Sequence, residues 1–221
     1  MITFTELQEG VYDPNIFKAF FLAGGPGSGK SYVVRRTTGG MGMKIVNSDD
    51  IFEKLLDKEG LSKKMPESEK EPRDIVRAKA KRLTSAKKAN YLEGRLGLII
   101  DGTGKDYDKI AGQATKLKQI GYDVHMIFVN TSLDVALERN AKRARTVPES
   151  ITIKSWNDVQ RNIGKFSQYF RQNFIVVDNN DANEDVFTKV FKQIKSLVRK
   201  KVSNPVAKMW IASELEKKKR R

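Results

Sequence analysis

No cysteine occurs in the 221 residues, which excludes disulfides and thiolate metal sites and suits a reducing cytoplasm. Histidine is nearly as scarce: His125 is the only one, set inside an apolar strand pattern beside Met126 and Ile127, where it reads as structural. No apolar run approaches the ~18 residues of a spanning helix. The opening MITFTELQEG has neither the basic region nor the apolar core of a signal peptide, so the expectation is a soluble, cytoplasmic protein. Acids are also short, 27 Asp+Glu against 42 Lys+Arg. The resulting formal charge of +15 favours polyanionic partners, nucleic acid first among them. There is no internal repeat, and KKKRR at the basic end is the only low-complexity tract.

A chain of this length can bury one good core but not two, so one domain with a tail is expected: a body over 1–203 and a basic C-terminal helix over 204–221. The body is organised around KAFFLAGGPGSGKS, residues 18–31. Phe20 to Ala23 is a short buried-strand pattern that breaks into Gly24, Gly25, Pro26, Gly27, Ser28, Gly29, Lys30 and Ser31, a complete G-x-x-x-x-G-K-[ST]. Backbone N–H groups can wrap a phosphate chain only where side chains are absent and unusual dihedrals are cheap, hence the glycines. Lys30 then reaches the β- and γ-phosphates and Ser31 offers its hydroxyl to Mg²⁺, so ATP and Mg²⁺ are the expected cofactors.

Apolar segments at 43–46, 96–100, 124–129 and 174–177 supply four more strands, each followed by a helical pattern. Helices are expected around 51–58, from Arg73 with Val76, Ala80 and Leu83 inward, and through Ile110, Ala114 and Leu117. A further helix is capped by Thr131-x-x-Asp134, with Leu133, Leu137, Ala141 and Ala144 inward, and another opens at Ser155-x-x-Asp158. Residues 61–72 read as an exposed connection, and the cations of the long helix as a solvated face. After the amphipathic stretch 186–197, Asn204-Pro205 begins a last helix that offers Val206, Met209 and Trp210 to the core. Alternating strands and helices imply an α/β protein with the P-loop NTPase fold: a five-stranded parallel sheet, helices on both faces, and a small helical lid at about 133–155.

Ligands in such sheets sit at the carboxyl ends of the strands. Asp49 and Asp50 end the second strand; one can cap a helix while the other takes a hydroxyl proton. Asp101 ends the third, as an acid that helps to hold Mg²⁺ does. Arg139, Arg143 and Arg145 can close over a triphosphate, or form an exposed basic face. A phosphatase reading of IIDGT fails because Ile99 stands where D-x-D-G-T needs its first acid, and no N-K-x-D motif supports a GTP switch.

Taken together, these segments resemble the P-loop kinases that include bacteriophage polynucleotide kinase and the zeta-toxin sugar-nucleotide kinases. VNSDDIF is similar to the segment that supplies their catalytic base, which implies Asp49. IIDGTGK resembles the zeta-toxin acceptor segment, which implies acceptor contacts from Asp101 and Thr103, with Lys105 following and Asp50 beside the base. ERNAKRARTVP resembles their lids at Arg139, Arg143 and Arg145. The pattern departs at Phe52, where the polynucleotide kinase has an arginine, and no phosphatase domain is appended. The resemblance implies an ATP- and Mg²⁺-dependent phosphotransferase acting on a hydroxyl, in the cytoplasm of a cell or of a phage's host. A nucleic acid or nucleotide acceptor comes first on charge, and a sugar nucleotide second. A nucleic-acid-stimulated ATPase without an acceptor is the reading from another class.

Overall fold

The computed structural model describes residues 10–143 and 145–219. Ala144, the opening nine residues and the final two arginines lie outside that range. Five strands, β1 (Lys18–Ala23), β2 (Lys44–Val46), β3 (Leu98–Asp101), β4 (Asp123–Asn130) and β5 (Phe174–Asp178), form one parallel sheet in the order β2-β3-β1-β4-β5. β1 is central, and all six of its residues are buried. Its period-2 alternation assigns them to two faces. Phe17, Ala19, Phe21 and Ala23 join one core cluster, while Phe20 and Leu22 join the other.

Helices cover both faces, as expected for a parallel sheet. On the first lie α4 (Tyr107–Gln119), α6 (Glu149–Phe170) and α8 (Pro205–Lys219), through Ile110, Ala114, Leu117, Val159, Phe166, Phe170 and Ala207. On the second lie α1 (Lys30–Thr38) and α7 (Glu184–Arg199), through Val33, Val34, Phe187, Val190, Ile194 and Val198. Two more helices, α2 (Ser48–Lys58) and α3 (Lys70–Glu93), pack on each other through Phe52, Leu56, Val76 and Ala80. The remaining helix, α5 (Leu133–Ala141), leads into the arginine-bearing loop that precedes α6.

Several boundaries differ from the sequence reading, each for a local reason. α2 begins at Ser48, because Asn47 is the N-cap and accepts from Asp49 N at 2.7 Å. α3 begins at Lys70 with Pro72 in its first turn, where a missing N–H costs nothing. Leu83 stays 42% exposed on α3. Ser132, not Thr131, caps α5, and the buried positions there are Ala136 and Asn140; Leu133 and Leu137 are half-buried and Ala141 is exposed. α6 starts at Glu149 after Pro148, so Ser155 lies buried within it. In α8 the residue against the core is Ala207, beside a half-buried Trp210 whose ring meets Phe17 edge-on at 5.5 Å; Val206 and Met209 are exposed. His125 stacks on Phe20 at 4.8 Å, and burial pushes its pKa down to about 4, so it is a neutral packing residue at physiological pH.

Candidate active site

Gly24 to Ser31 joins β1 to α1 at the carboxyl edge of the sheet. A Cβ on Gly27, at φ +78°, would sit 1.9 Å from the Ala136 carbonyl oxygen, and one on Gly29, at φ +82°, would sit 2.4 Å from Asn179 Nδ2. The loop is therefore enclosed by α5 and by the chain leaving β5. Gly29 is also the N-cap of α1, and it brings no side chain to the helix's first N–H groups. Those donors, with the positive end of the helix dipole, are free for an anion. Asn179 Nδ2 donates to Ser28 O at 2.8 Å, and Gly24 N donates to Thr103 O at 2.8 Å, which ties the phosphate loop to residues 101–105. Pro26 is half-buried and Gly25 lies against the backbone of Trp156, whose Nε1 donates to Thr131 O at 2.9 Å; this tryptophan is a packing residue of the loop wall. Lys30 Nζ donates to the carbonyls of Gly24, at 2.6 Å, and Gly25, at 3.3 Å.

Asp49 is not used as a cap. Because Asn47 takes that role, the Asp49 carboxylate is left for two arginines: Oδ1 accepts from Arg77 Nη1 at 2.5 Å and Oδ2 pairs with Arg145 Nη2 at 3.4 Å. Burial pushes the Asp49 carboxyl up, but the two arginines outweigh it and hold it below the usual carboxylate range. Asp101 lies opposite Leu22 in the sheet. Its Oδ2 accepts from Asn47 Nδ2 at 3.0 Å, while Oδ1 is buried with no hydrogen-bond partner among the described residues. Burial raises its pKa, Lys30 opposes the rise, and Asp49 and Asp50 add to it. At Lys30 burial lowers the pKa, against the attraction of Asp101 and Asp49 and with the repulsion of Arg143. Lys30, Asp49, Asp101 and Arg143, from four separate segments, thus influence one another electrostatically.

The other expected residues are placed differently. Asp50 accepts from Asn47 Nδ2 at 3.1 Å and borders a groove of about 350 Å³ that also presents Lys54, Thr84, Lys87 and Tyr91. Burial, then Glu53 and Asp49, raises its pKa. Thr103 is half-buried and Lys105 exposed; both belong to a loop pinned by Asn162 Nδ2, which donates to Gly104 O and Lys105 O. Ser31 is exposed at the start of α1. Arg139 approaches Gly29 but donates Nη1 to Asn179 O at 2.6 Å and Nη2 to Asn180 O at 2.8 Å, so it clamps the β5 exit loop rather than hanging free. Arg143 is exposed beyond the end of α5, not in helical register with Arg139. Arg145 is only 14% exposed and also pairs through Nε with Glu53 Oε1 at 3.2 Å, so the lid is tied to α2. A larger hollow of about 660 Å³ lies near Lys118, Tyr169 and Arg171, but none of these candidates borders it.

Four participants were not singled out from sequence: Arg77, Glu53, Asn47 and Asn179. Asn47 had a signal, an Asx residue two positions before Asp49 at a strand exit; the rest depend on long-range packing.

The unpartnered Asp101 oxygen gives a test of what the site is built for. An acid held ionised at a cost in burial is relieved by Asp101→Asn, which keeps the oxygen that accepts from Asn47. The ligand-free protein should then melt about 2–4 °C higher, while losing activity. A lower melting temperature in a calorimetric scan would mean that Asp101 is there for stability.

A strand, a glycine loop with lysine and a helix, in a parallel β2-β3-β1-β4-β5 sheet with acids at the strand ends, define a P-loop protein of the kinase-like class. The chain belongs to the zeta toxin family, whose family model matches residues 8–190. No curated protein matches it in sequence. Among solved structures it is similar to a gluconokinase from Sinorhizobium meliloti, with 15% identity over 83% of this chain and 95% of that one and a TM-score of 0.50. It is similar to the shikimate kinase of Acinetobacter baumannii, at 17% identity over 85% and 98% of the two chains, with a TM-score of 0.50. A chain of the Pnkp1/Rnl/Hen1 RNA repair complex aligns at 22% identity over 69% of this chain and 47% of its own, with a TM-score of 0.53. These likenesses establish the shared fold. Among the described residues no helix is long and apolar enough to cross a membrane.

Proposed function

We propose that the protein is an ATP- and Mg²⁺-dependent kinase that transfers the γ-phosphoryl group to a hydroxyl. The observation that carries this reading is a complete phosphate loop between β1 and α1 at the sheet edge where Asp49, gripped by Arg77 and Arg145, and the buried Oδ1 of Asp101 also lie. In the transfer, the acceptor oxygen bonds to the γ-phosphorus and gives its proton to Asp49. The bond from that phosphorus to the β,γ-bridging oxygen breaks, and its electron pair leaves on ADP. The loop N–H groups and Lys30 hold the phosphates, and Arg143 and Arg145 meet the charge that spreads over the moving group. Arg139 shapes the loop wall by holding residues 179–180.

The donor set suits Mg²⁺: the Ser31 hydroxyl at the start of α1 and the buried, unpartnered Asp101 oxygen are both hard oxygen ligands. Bound there, the ion would offset charge on the β- and γ-oxygens. Asp50, Asp101, Thr103 and Lys105 are the acceptor-side residues in this reading.

A nucleotide-bearing acceptor is favoured, a nucleic acid or nucleotide, by the +15 charge. Membership of the zeta toxin family favours the second reading, a sugar nucleotide. Incubation with γ-labelled ATP and, in parallel, a 5′-hydroxyl oligonucleotide, nucleosides, nucleotides and UDP-sugars separates them by what becomes labelled. A nucleic-acid acceptor also predicts binding that weakens steeply with salt, whereas a sugar nucleotide predicts a nearly flat response. Release of inorganic phosphate alone, stimulated by nucleic acid, would replace the kinase by an ATPase.

A further inference from the structure

Asp49 is gripped by two arginines whose situations differ. Arg145 comes from the lid loop, stands 3.4 Å from Oδ2 and divides itself between Asp49 and Glu53. Arg77 comes from α3, donates to Oδ1 at 2.5 Å, and lays its guanidinium 4.6 Å above the ring of Phe52, which is 2% exposed. Phe52 lies in the same turns of α2 as Asp49 and belongs to the cluster that joins α2 to α3. A planar cation stacked on a fixed ring has lost its rotamer freedom before it bonds the carboxylate. The Arg77 contact is therefore built into the α2–α3 interface, while the Arg145 contact belongs to a loop.

We propose that Arg77 is a positioning residue for Asp49: it fixes Oδ1, so that Oδ2, the oxygen shared with Arg145, is the one presented to the acceptor hydroxyl once the lid arginine turns to the phosphates. This rests on Asp49 being the proton acceptor proposed above. With Oδ1 held from outside the lid, the carboxylate keeps its direction while the lid changes partners. Without it, Asp49 is free to follow Arg145. The charges around Asp49 are Arg77 on α3, Arg145 on the lid, Lys30 on α1, Asp101 on β3 and Asp50 on α2 itself. Of these, Arg77 hydrogen-bonds its carboxylate and Arg145 forms an ion pair with it, and both favour its ionised form. Removing Arg77 thus moves the Asp49 titration upward, and activity that needs the anion is lost at a higher pH as the solution is acidified.

Two measurements on the full chain test this. Carbon-detected NMR of the Asp49 carboxyl follows its titration without any acceptor, and transfer of label from γ-labelled ATP is read with a 5′-hydroxyl oligonucleotide and a UDP-sugar as probes. In Arg77→Met, which keeps the stem over Phe52, the carboxyl should titrate at higher pH and transfer should fall about 100-fold, the scale of a small misplacement at a reacting group. ATP affinity should stay within about twofold, because Arg77 does not touch the phosphate loop. Arg77→Lys should restore the charge, bring the titration back down and recover part of the rate. An unmoved carboxyl titration would overturn the proposal whether or not either probe is labelled. So would a rate loss matched by weaker ATP binding or a lower melting temperature, since that is a structural role. If Asp49→Asn is inactive while Arg77→Met transfers normally, the positioning role alone fails. If Asp49→Asn transfers normally, the base assignment fails and takes the positioning role with it.

Discussion

Asp49→Asn should reduce transfer of the γ-phosphoryl group by about 10²–10⁴-fold, the range that a positioned general base contributes, and leave ATP affinity within about twofold of wild type. The substitution is unusually clean here because Asp49 has no capping duty: Asn47 accepts from the Asp49 N–H, so α2 keeps its N-terminus. The amide oxygen of asparagine can still accept from Arg77, and Arg145 retains Glu53. What disappears is a carboxylate in the first turn of a helix and its attraction for two part-exposed arginines, a loss of no more than about 1 kcal/mol. The chemical loss is of another order, since an amide does not take up the hydroxyl proton at neutral pH. Single-turnover transfer of label, beside calorimetric titration with ATP, distinguishes the two. Wild-type transfer by the asparagine variant would remove Asp49 from the chemistry, and a matched collapse of ATP binding would mean that the carboxylate shapes the nucleotide pocket instead.

The acidic side of the activity profile carries the same information. Arg77 and Arg145 hold the Asp49 carboxyl below its ordinary range, so its anion persists to lower pH than that of a free aspartate. Asp101 and Asp50 are shifted the opposite way and take up protons first as pH falls. Asp101 and Asp50 therefore neutralise before Asp49 does, while Asp49 stays paired with Arg77 and with the Arg145 it shares with Glu53.

The phosphate loop was legible because its chemistry fixes residue types at fixed spacings, and the strands because short apolar runs stand between glycine-rich breaks. Strand order was not. Placing β3 between β2 and β1 depends on which edges pair, and no local pattern in LIID or KIV says so. Topology gathers the acids, since parallel strands deliver their carboxyl ends to one edge and Asp49, Asp50 and Asp101 follow β2 and end β3; the choice of Asp49 over Asp50 comes from the resemblance of VNSDDIF to the kinase segment. Arg77 was hidden because it sits 28 positions from its partner, among the cations of a helix whose outer face is solvated. Only the packing of Phe52 and Leu56 on Val76 and Ala80 turns that one cation inward. The cap of α5 lies one residue beyond Thr131 because Thr131, directly after β4, is buried with its hydroxyl enclosed, and Ser132 is the first exposed residue there. Ser155-x-x-Asp158 imitates a helix start, yet the true start lies earlier in a turn whose Ile151 faces outward at 55% exposure, so the apolar stripe there is faint. Arg139 carried the right composition for a lid and proves to be a clamp, since only the structure shows two backbone carbonyls of β5's exit loop within its reach.

Lys30→Met should behave unlike Asp49→Asn in that both binding and transfer fall. In the ligand-free protein the ammonium is folded back onto the carbonyls of Gly24 and Gly25, while burial pushes its pKa down and Asp101 and Asp49 pull it back up. It is thus a half-buried charge whose hydrogen bonds go to two loop carbonyls, and methionine removes its desolvation cost along with those two bonds. The two losses oppose each other, so the unfolding midpoint should move by less than about 1 kcal/mol in free energy. A bound triphosphate gives the ammonium a far better partner than two carbonyls, and a still better one when charge builds on the β,γ-bridging oxygen as the bond to the γ-phosphorus breaks. ATP affinity should therefore drop about tenfold, near 1.4 kcal/mol, and transfer by at least about 10³-fold beyond it, comparable to the loss of an arginine finger. Gly27 and Gly29 stay as they are, so the loop N–H groups still hold a residue of that affinity. If Lys30→Met bound ATP and transferred label as the wild-type chain does, the ammonium would have to remain on its loop carbonyls in the loaded protein, and the charge on the moving phosphoryl group would be met by Arg143 and Arg145 alone.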